Sequence, residues 1–165
     1  MRREVLVLIV VVVVAILAGV AASPFSGQKF SDSSSAAVEV PFTEITNGLQ
    51  SKVAKRVNYL IRSEVGLQEL WKLIEAEGQP PEVDFTQEAV IAVFSGERPT
   101  AGHSVAVSKV EDVGDSRVVT ISLIQPAPDC VTAQVVTMPY EILKLPATPL
   151  PLTHKDSVAI VNCSE

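Results

Sequence analysis

Apolar and polar positions are distributed very unevenly along this chain. Val5 to Ala22 is an unbroken apolar run with no charge and no side-chain hydrogen-bonding group. As a helix rising about 1.5 Å per residue, these eighteen residues reach about 27 Å, close to the ~30 Å hydrocarbon core of a bilayer. Each Val, Ile or Leu favours insertion by about 0.3–0.6 kcal/mol, so the run as a whole favours it by several kcal/mol. Arg2 and Arg3 precede it and place the N-terminus on the cytoplasmic side. Residues 1–22 therefore read as a signal peptide, with Val20-Ala21-Ala22 as its cleavage site, or as an uncleaved transmembrane anchor. No cysteine lies near the end of the run, which excludes a lipid-modified cysteine. Residues 23–36 are rich in serine and lack periodicity, as a flexible linker does. A single folded domain is expected over residues 37–165.

Within that domain the polar and apolar spacing is mostly that of strands. Residues 37–46 and 55–64 alternate loosely, with Val57, Tyr59 and Ile61 on one face. Leu67, Leu70, Trp71 and Ile74 follow helical spacing, and Gly78 with Pro80-Pro81 ends the helix. Trp71 is expected to be its largest buried contact. Ala89 to Phe94 is continuously apolar, as in a strand covered on both faces. Residues 104–110 and 117–124 alternate on either side of Asp112-Val113-Gly114-Asp115, which is a hairpin signal. Further short strands are expected at 133–138, 140–145 and 157–162. The predicted class is α+β, one main helix packed on a mostly antiparallel sheet or open barrel, preceded by the N-terminal apolar helix.

Composition narrows the functional classes. The 165 residues suit one domain. Without residues 1–22, and so without Arg2, Arg3 and Glu4, the net charge is about −7. That balance argues against nucleic acid and against an anionic membrane surface, and suits an extracytoplasmic domain, membrane-anchored or secreted. The two cysteines, Cys130 and Cys163, lie in the exported part, and an oxidising compartment favours a disulfide between them. The bridge would close a loop of about 34 residues and stabilise by about 3–4 kcal/mol on a chain-entropy argument.

Motifs for catalysis are missing. The chain has no G-x-S-x-G elbow, no H-E-x-x-H and no phosphate loop. His103 and His154 are its two histidines, and His154 with Asp156 falls short of the four ligands of a structural zinc site. The reading is of no enzyme, no metal and no cofactor. One loop is shaped for recognition. Gly96-Glu97-Arg98-Pro99-Thr100-Ala101-Gly102-His103 follows the apolar strand and combines two glycines with a proline and a threonine. A rigid loop loses little entropy on binding, so Gly96, Arg98, Pro99, Thr100, Gly102 and His103 are the candidate partner-binding residues.

The order of motifs resembles a known family. Leu70-Trp71 on the helix, then Val83-Asp84-Phe85, then the strand Ala89-Val90-Ile91-Ala92-Val93 come first. Gly96 with Arg98-Pro99-Thr100-Ala101-Gly102, a hairpin, Pro126-Ala127-Pro128 and Met138-Pro139-Tyr140 before Leu145-Pro146 follow. The set, spanning roughly residues 42–146, resembles the C-terminal domain of the PrcB family, the protease complex subunit. Ala101 stands where that family usually has glycine, and His103 where it has an aromatic residue. The resemblance implies a non-catalytic exported accessory domain that associates with a secreted or membrane protease. A second resemblance is to chagasin-type protease inhibitors, which insert an N-P-T-T-G loop into a cysteine-protease cleft. Arg98-Pro99-Thr100-Ala101-Gly102 is similar in shape to that loop, but no counterpart of the other two inhibitory loops is evident.

Overall fold

The computed structural model describes residues 36–163; the apolar segment expected over residues 1–22 and most of the serine-rich linker lie outside them. Among the described residues no helix is long and apolar enough to cross a membrane. In order the elements are β1 (Val38–Glu39), β2 (Thr43–Gly48), β3 (Val57–Ile61), α1 (Glu64–Leu73), β4 (Glu88–Phe94), β5 (Ser104–Val113), β6 (Ser116–Pro126), β7 (Tyr140–Pro146) and β8 (Leu152–Val161).

These strands form two sheets, one ordered β1-β5-β6-β8 and the other β2-β7-β4-β3. All pairings are antiparallel except β6 with β8, which is parallel. The α+β expectation is corrected. Strands make up 47% of the described residues and helix only 8%, and a second sheet, rather than a main helix, covers the core face of the first. The reason lies in β4. Its Ile91 and Val93 meet Val105, Val107, Val119 and Ile121 of the facing sheet and Leu143 and Leu145 of its neighbour. Its Val90, Ala92 and Phe94 point the other way, under Leu67 and Leu70 of α1 and Ile74 at its C-terminal cap. The continuous apolar run thus serves two layers at once.

The helix has ten residues, with Ser63 Oγ accepting from Gly66 N at its start and Lys72 in its last turn. Leu67 and Leu70 are its buried residues, and Ile74, the C-cap, is buried beside them. Trp71, expected to be the largest buried contact, is only partly buried at the margin of this cluster, and its indole Nε1 has no hydrogen-bond partner. The stretch 133–138, expected as a strand, contributes one isolated bridge, Arg98 to Thr137.

Strand directions define two poles. At the near pole the chain enters β1, where Val38 pairs with Asp112 beside the β5–β6 turn. The connections 95–103 and 127–139 both cross between the sheets at the far pole, where Phe94 pairs with Tyr140.

Candidate functional site

The loop 96–103 is built into the far pole by its backbone. Gly96 has φ +76°, and a Cβ there would stand 2.8 Å from Arg56 N. Only glycine gives that conformation without strain and admits the approach. Gly102 has φ +86°, with Pro126 and Thr132 alongside. Arg98 N donates to Thr137 O (2.8 Å) and Thr137 N returns to Arg98 O (2.9 Å). Ala101 N donates to Ala133 O (3.0 Å), Glu97 N to Ala54 O (3.0 Å), and Thr137 Oγ1 to Thr100 O (3.3 Å). The Arg98 guanidinium folds back onto Ser95 O at 2.9 Å. Pro99 and Gly102 are exposed, whereas Arg98, Thr100 and His103 are partly covered and Gly96 is buried. The six candidate residues are therefore together in one loop, but most of their polar groups hold it to the segment 133–137. Burial, with the nearby Arg98 charge second, lowers the His103 pKa and keeps its ring neutral at neutral pH.

What the loop braces faces solvent. Val131 is fully exposed, and Val135 and Val136 are about half exposed, at 48% and 47%. Leu49, 51% exposed, joins them, because Met138 N donates to Leu49 O (2.9 Å) and Gln50 Nε2 to Val136 O (3.2 Å). Val158, Ile160 and Val161, on the far half of β8, are exposed as well. Of the eleven large hydrophobic side chains exposed among the described residues, seven lie toward this one pole. Sequence reading missed them. An apolar residue in an extended stretch looks the same whether a neighbour covers it or not, and the signal available was only the uncharged run from Val131 to Met138.

Cys130 and Cys163 are paired across the base of this region, with Cα atoms 5.6 Å apart, inside the range a disulfide spans. Cys130 N also donates to Ala127 O, and Ala127 N to Val161 O, so the start of 127–139 is tied to the end of β8.

Elsewhere the polar clusters are structural in form. His154 Nδ1 lies 2.9 Å from Asp156, whose carboxylate is held bidentately by Arg56 at 2.9 Å. Burial is the largest single influence on Asp156 and raises its pKa, but the hydrogen bonds and charges of Arg56 and His154 together outweigh it and hold the pKa below its ordinary value. Among the described residues no serine, threonine or cysteine is hydrogen-bonded to His103 or His154, and no group of His, Cys, Asp and Glu has the arrangement of a metal site. A cleft of about 450 Å³ opens between β3 and β8, with Ile91 and Val119 at its floor and Arg56, Asn58 and His154 at its rim. A second, of about 480 Å³, lies between α1 and residues 79–85.

One buried charge is set into the wall between the sheets. Glu141, 7% exposed, accepts from Val107 N at the bulge where β5 shifts register between Val107 and Lys109. Burial raises its pKa, and the Glu44 carboxylate adds to the rise, against the Val107 hydrogen bond.

Residues 89–146 match the family model described as PrcB C-terminal. This is the family that the order of motifs resembles, and the match runs from β4 to the end of β7. It takes in both far-pole connections, and leaves α1 with Leu70-Trp71 and the Val83-Asp84-Phe85 step outside. No curated protein and no solved structure matches the chain.

Proposed function

We propose that this protein is a non-catalytic, exported accessory domain that binds a protein partner through its far pole. The observation that carries the reading is the gathering of exposed Leu49, Val131, Val135 and Val136 around a loop whose backbone is fixed by hydrogen bonds. Contiguous exposed apolar side chains on a soluble domain mark interaction sites, and a pre-braced loop loses little entropy when it is covered. The match of residues 89–146 to the PrcB C-terminal model supports a protease as the partner. The partner surface stands at the end of the domain opposite β1 and the β5–β6 turn. Arg98 and Thr100 then act as braces, while Pro99 and the valines make contact. An inhibitory insertion loop needs free backbone at its tip, and the bonds from Arg98 and Ala101 to residues 133–137 argue against that use.

Substitution separates contact from scaffold. Val131→Asp with Val136→Asp, in the full chain, is expected to abolish capture of a co-expressed protease partner while leaving the thermal transition within about 0.5 kcal/mol of the parent, as for exposed positions generally. Val65→Asp on the helix, also exposed, is expected to change neither. Capture that survives the double substitution overturns the assignment.

A further inference from the structure

The outer edge of β8 offers a second surface. Among the described residues β8 pairs with β6 alone, so one side of this ten-residue strand is without a ladder partner. Its two halves differ. In the near half Lys155 and Asp156 carry charge, and Asp156 is tied to Arg56 next to β3, the edge of the other sheet. Charges on an edge strand are the usual defence against strand addition. In the far half, Ser157 to Val161 has no charge and no proline, and Val158 and Ile160 are each 60% exposed. The pairing of Leu123 with Val158 and Gln125 with Ile160, continuing Ile121 with Asp156, places both side chains on the core side of the sheet, beyond the reach of the facing one.

We propose that this far half of β8 pairs antiparallel with the same segment of a second copy of the chain, about a twofold axis at Ala159. The backbone has the required polarity. Pro151 O accepts from Arg117 N and Val161 O from Ala127 N, so odd-numbered residues of β8 point their polar groups to β6 and even-numbered ones point theirs outward. With the axis at Ala159, Val158 faces Ile160 of the second copy, and both present outward N–H and C=O groups to exchange. Ala159, whose polar groups turn to β6, faces itself at a close, non-hydrogen-bonded position, and Ser157 faces Val161 of the second copy. The four apolar side chains on the core face then cover one another. Moving the axis to Val158 sets Asp156 against Ile160, and moving it to Ile160 leaves Val158 opposite Asn162. The segment is thus self-complementary in one register, as an isologous contact requires. So short a ladder buries less than the ~1,200 Å² of stable interfaces, so the pairing is weak in dilute solution and favoured where copies are concentrated.

Cysteine scanning of the full-length chain tests the register. At a non-hydrogen-bonded pair the Cα atoms stand about 4.5 Å apart, within the ~4.4–6.8 Å span of a disulfide. Ala159→Cys is expected to form a covalent dimer on mild oxidation, with peptide mapping locating the new bridge at position 159 in both copies and Cys130–Cys163 intact. Ser157→Cys alone and Val161→Cys alone are expected to remain monomeric, and the two mixed are expected to cross-link. Val158→Pro removes an outward N–H without touching the β6 ladder, and is expected to suppress the Ala159→Cys dimer at least several-fold. Cross-linking from Ser157→Cys as readily as from Ala159→Cys, no dimer at high concentration, or an Ala159→Cys bridge formed only to another protein would each overturn the proposal. Self-pairing along β8 stands apart from partner capture, so Val131→Asp with Val136→Asp is expected to leave the cross-link unchanged.

Discussion

The two poles of the domain are built from opposite materials. At the near pole, charged and polar side chains do the fastening. Arg117, 5% exposed, holds Asp112 through Nε (2.7 Å) and Nη2 (2.9 Å) and donates from Nη1 to Pro146 O, tying the β5–β6 hairpin to the end of β7. Lys144 pairs with Glu88 across β7 and β4 nearby (3.0 Å), and Asp84 caps the turn before β4 through Thr86 N and Oγ1. At the far pole the fastening is mostly backbone to backbone, and the large apolar side chains left outside are valine, leucine and isoleucine. A pole closed by charges satisfies itself. A pole closed by main-chain hydrogen bonds leaves its side chains free to be covered by something else. That contrast is the physical basis for assigning recognition to one end and stability to the other.

The largest effect should come from breaking the near pole. Arg117→Met leaves the Pro146 carbonyl and a half-buried Asp112 without their partner, and is expected to destabilise the fold by about 3–5 kcal/mol, read as a fall in the urea midpoint at unchanged slope. An effect no larger than that of Val131→Asp would erase the distinction between the poles.

A smaller effect should come from Glu141, a buried carboxylate between the sheets whose pKa is raised. A raised folded pKa means the native state binds the proton more tightly than the unfolded chain. Its charge therefore costs stability at neutral pH, and that cost is relieved as pH falls through the folded pKa. Asp84, Asp112 and Asp156 have lowered pKa values and act with the opposite sign. Their contribution is complete above the ordinary carboxylate range and is lost in stronger acid. Stability is thus expected to peak at mildly acidic pH. Glu141→Gln keeps an acceptor for Val107 N, and is expected to raise the thermal midpoint at pH 7 and to flatten its slope between neutral and mildly acidic pH. A lower midpoint at pH 7 would mean that the charge itself is required.

How much of this was legible beforehand follows from what is local. The run Ala89–Phe94 announces a doubly covered strand in its composition, and the helix with Leu67, Leu70 and Ile74 announces itself in its period. The hairpin around Gly114 is local too. Its strands run longer than the alternation suggests, because the bulge between Val107 and Lys109 breaks the period of two. Which strands share a sheet is not local, and that is why one helix-backed sheet was expected where two sheets face each other. β8 is the extreme case. Its parallel register with β6 joins residues 35 positions apart, Arg117 to Leu152, and its mostly exposed side chains carry no burial pattern to read. The candidate loop was visible in its glycines and proline, whereas its role as a brace depends on residues 133–137, which no short-range rule connects to it.

The central claim is that the far pole is the surface a partner covers. A photo-cross-linking amino acid placed at Val136, and in a parallel sample at Val65, in the full chain expressed in its native cells tests it most directly. The account predicts a discrete adduct from position 136, identified by mass spectrometry as a protease subunit, and none from position 65. Adducts from position 65 with none from 136 would contradict it.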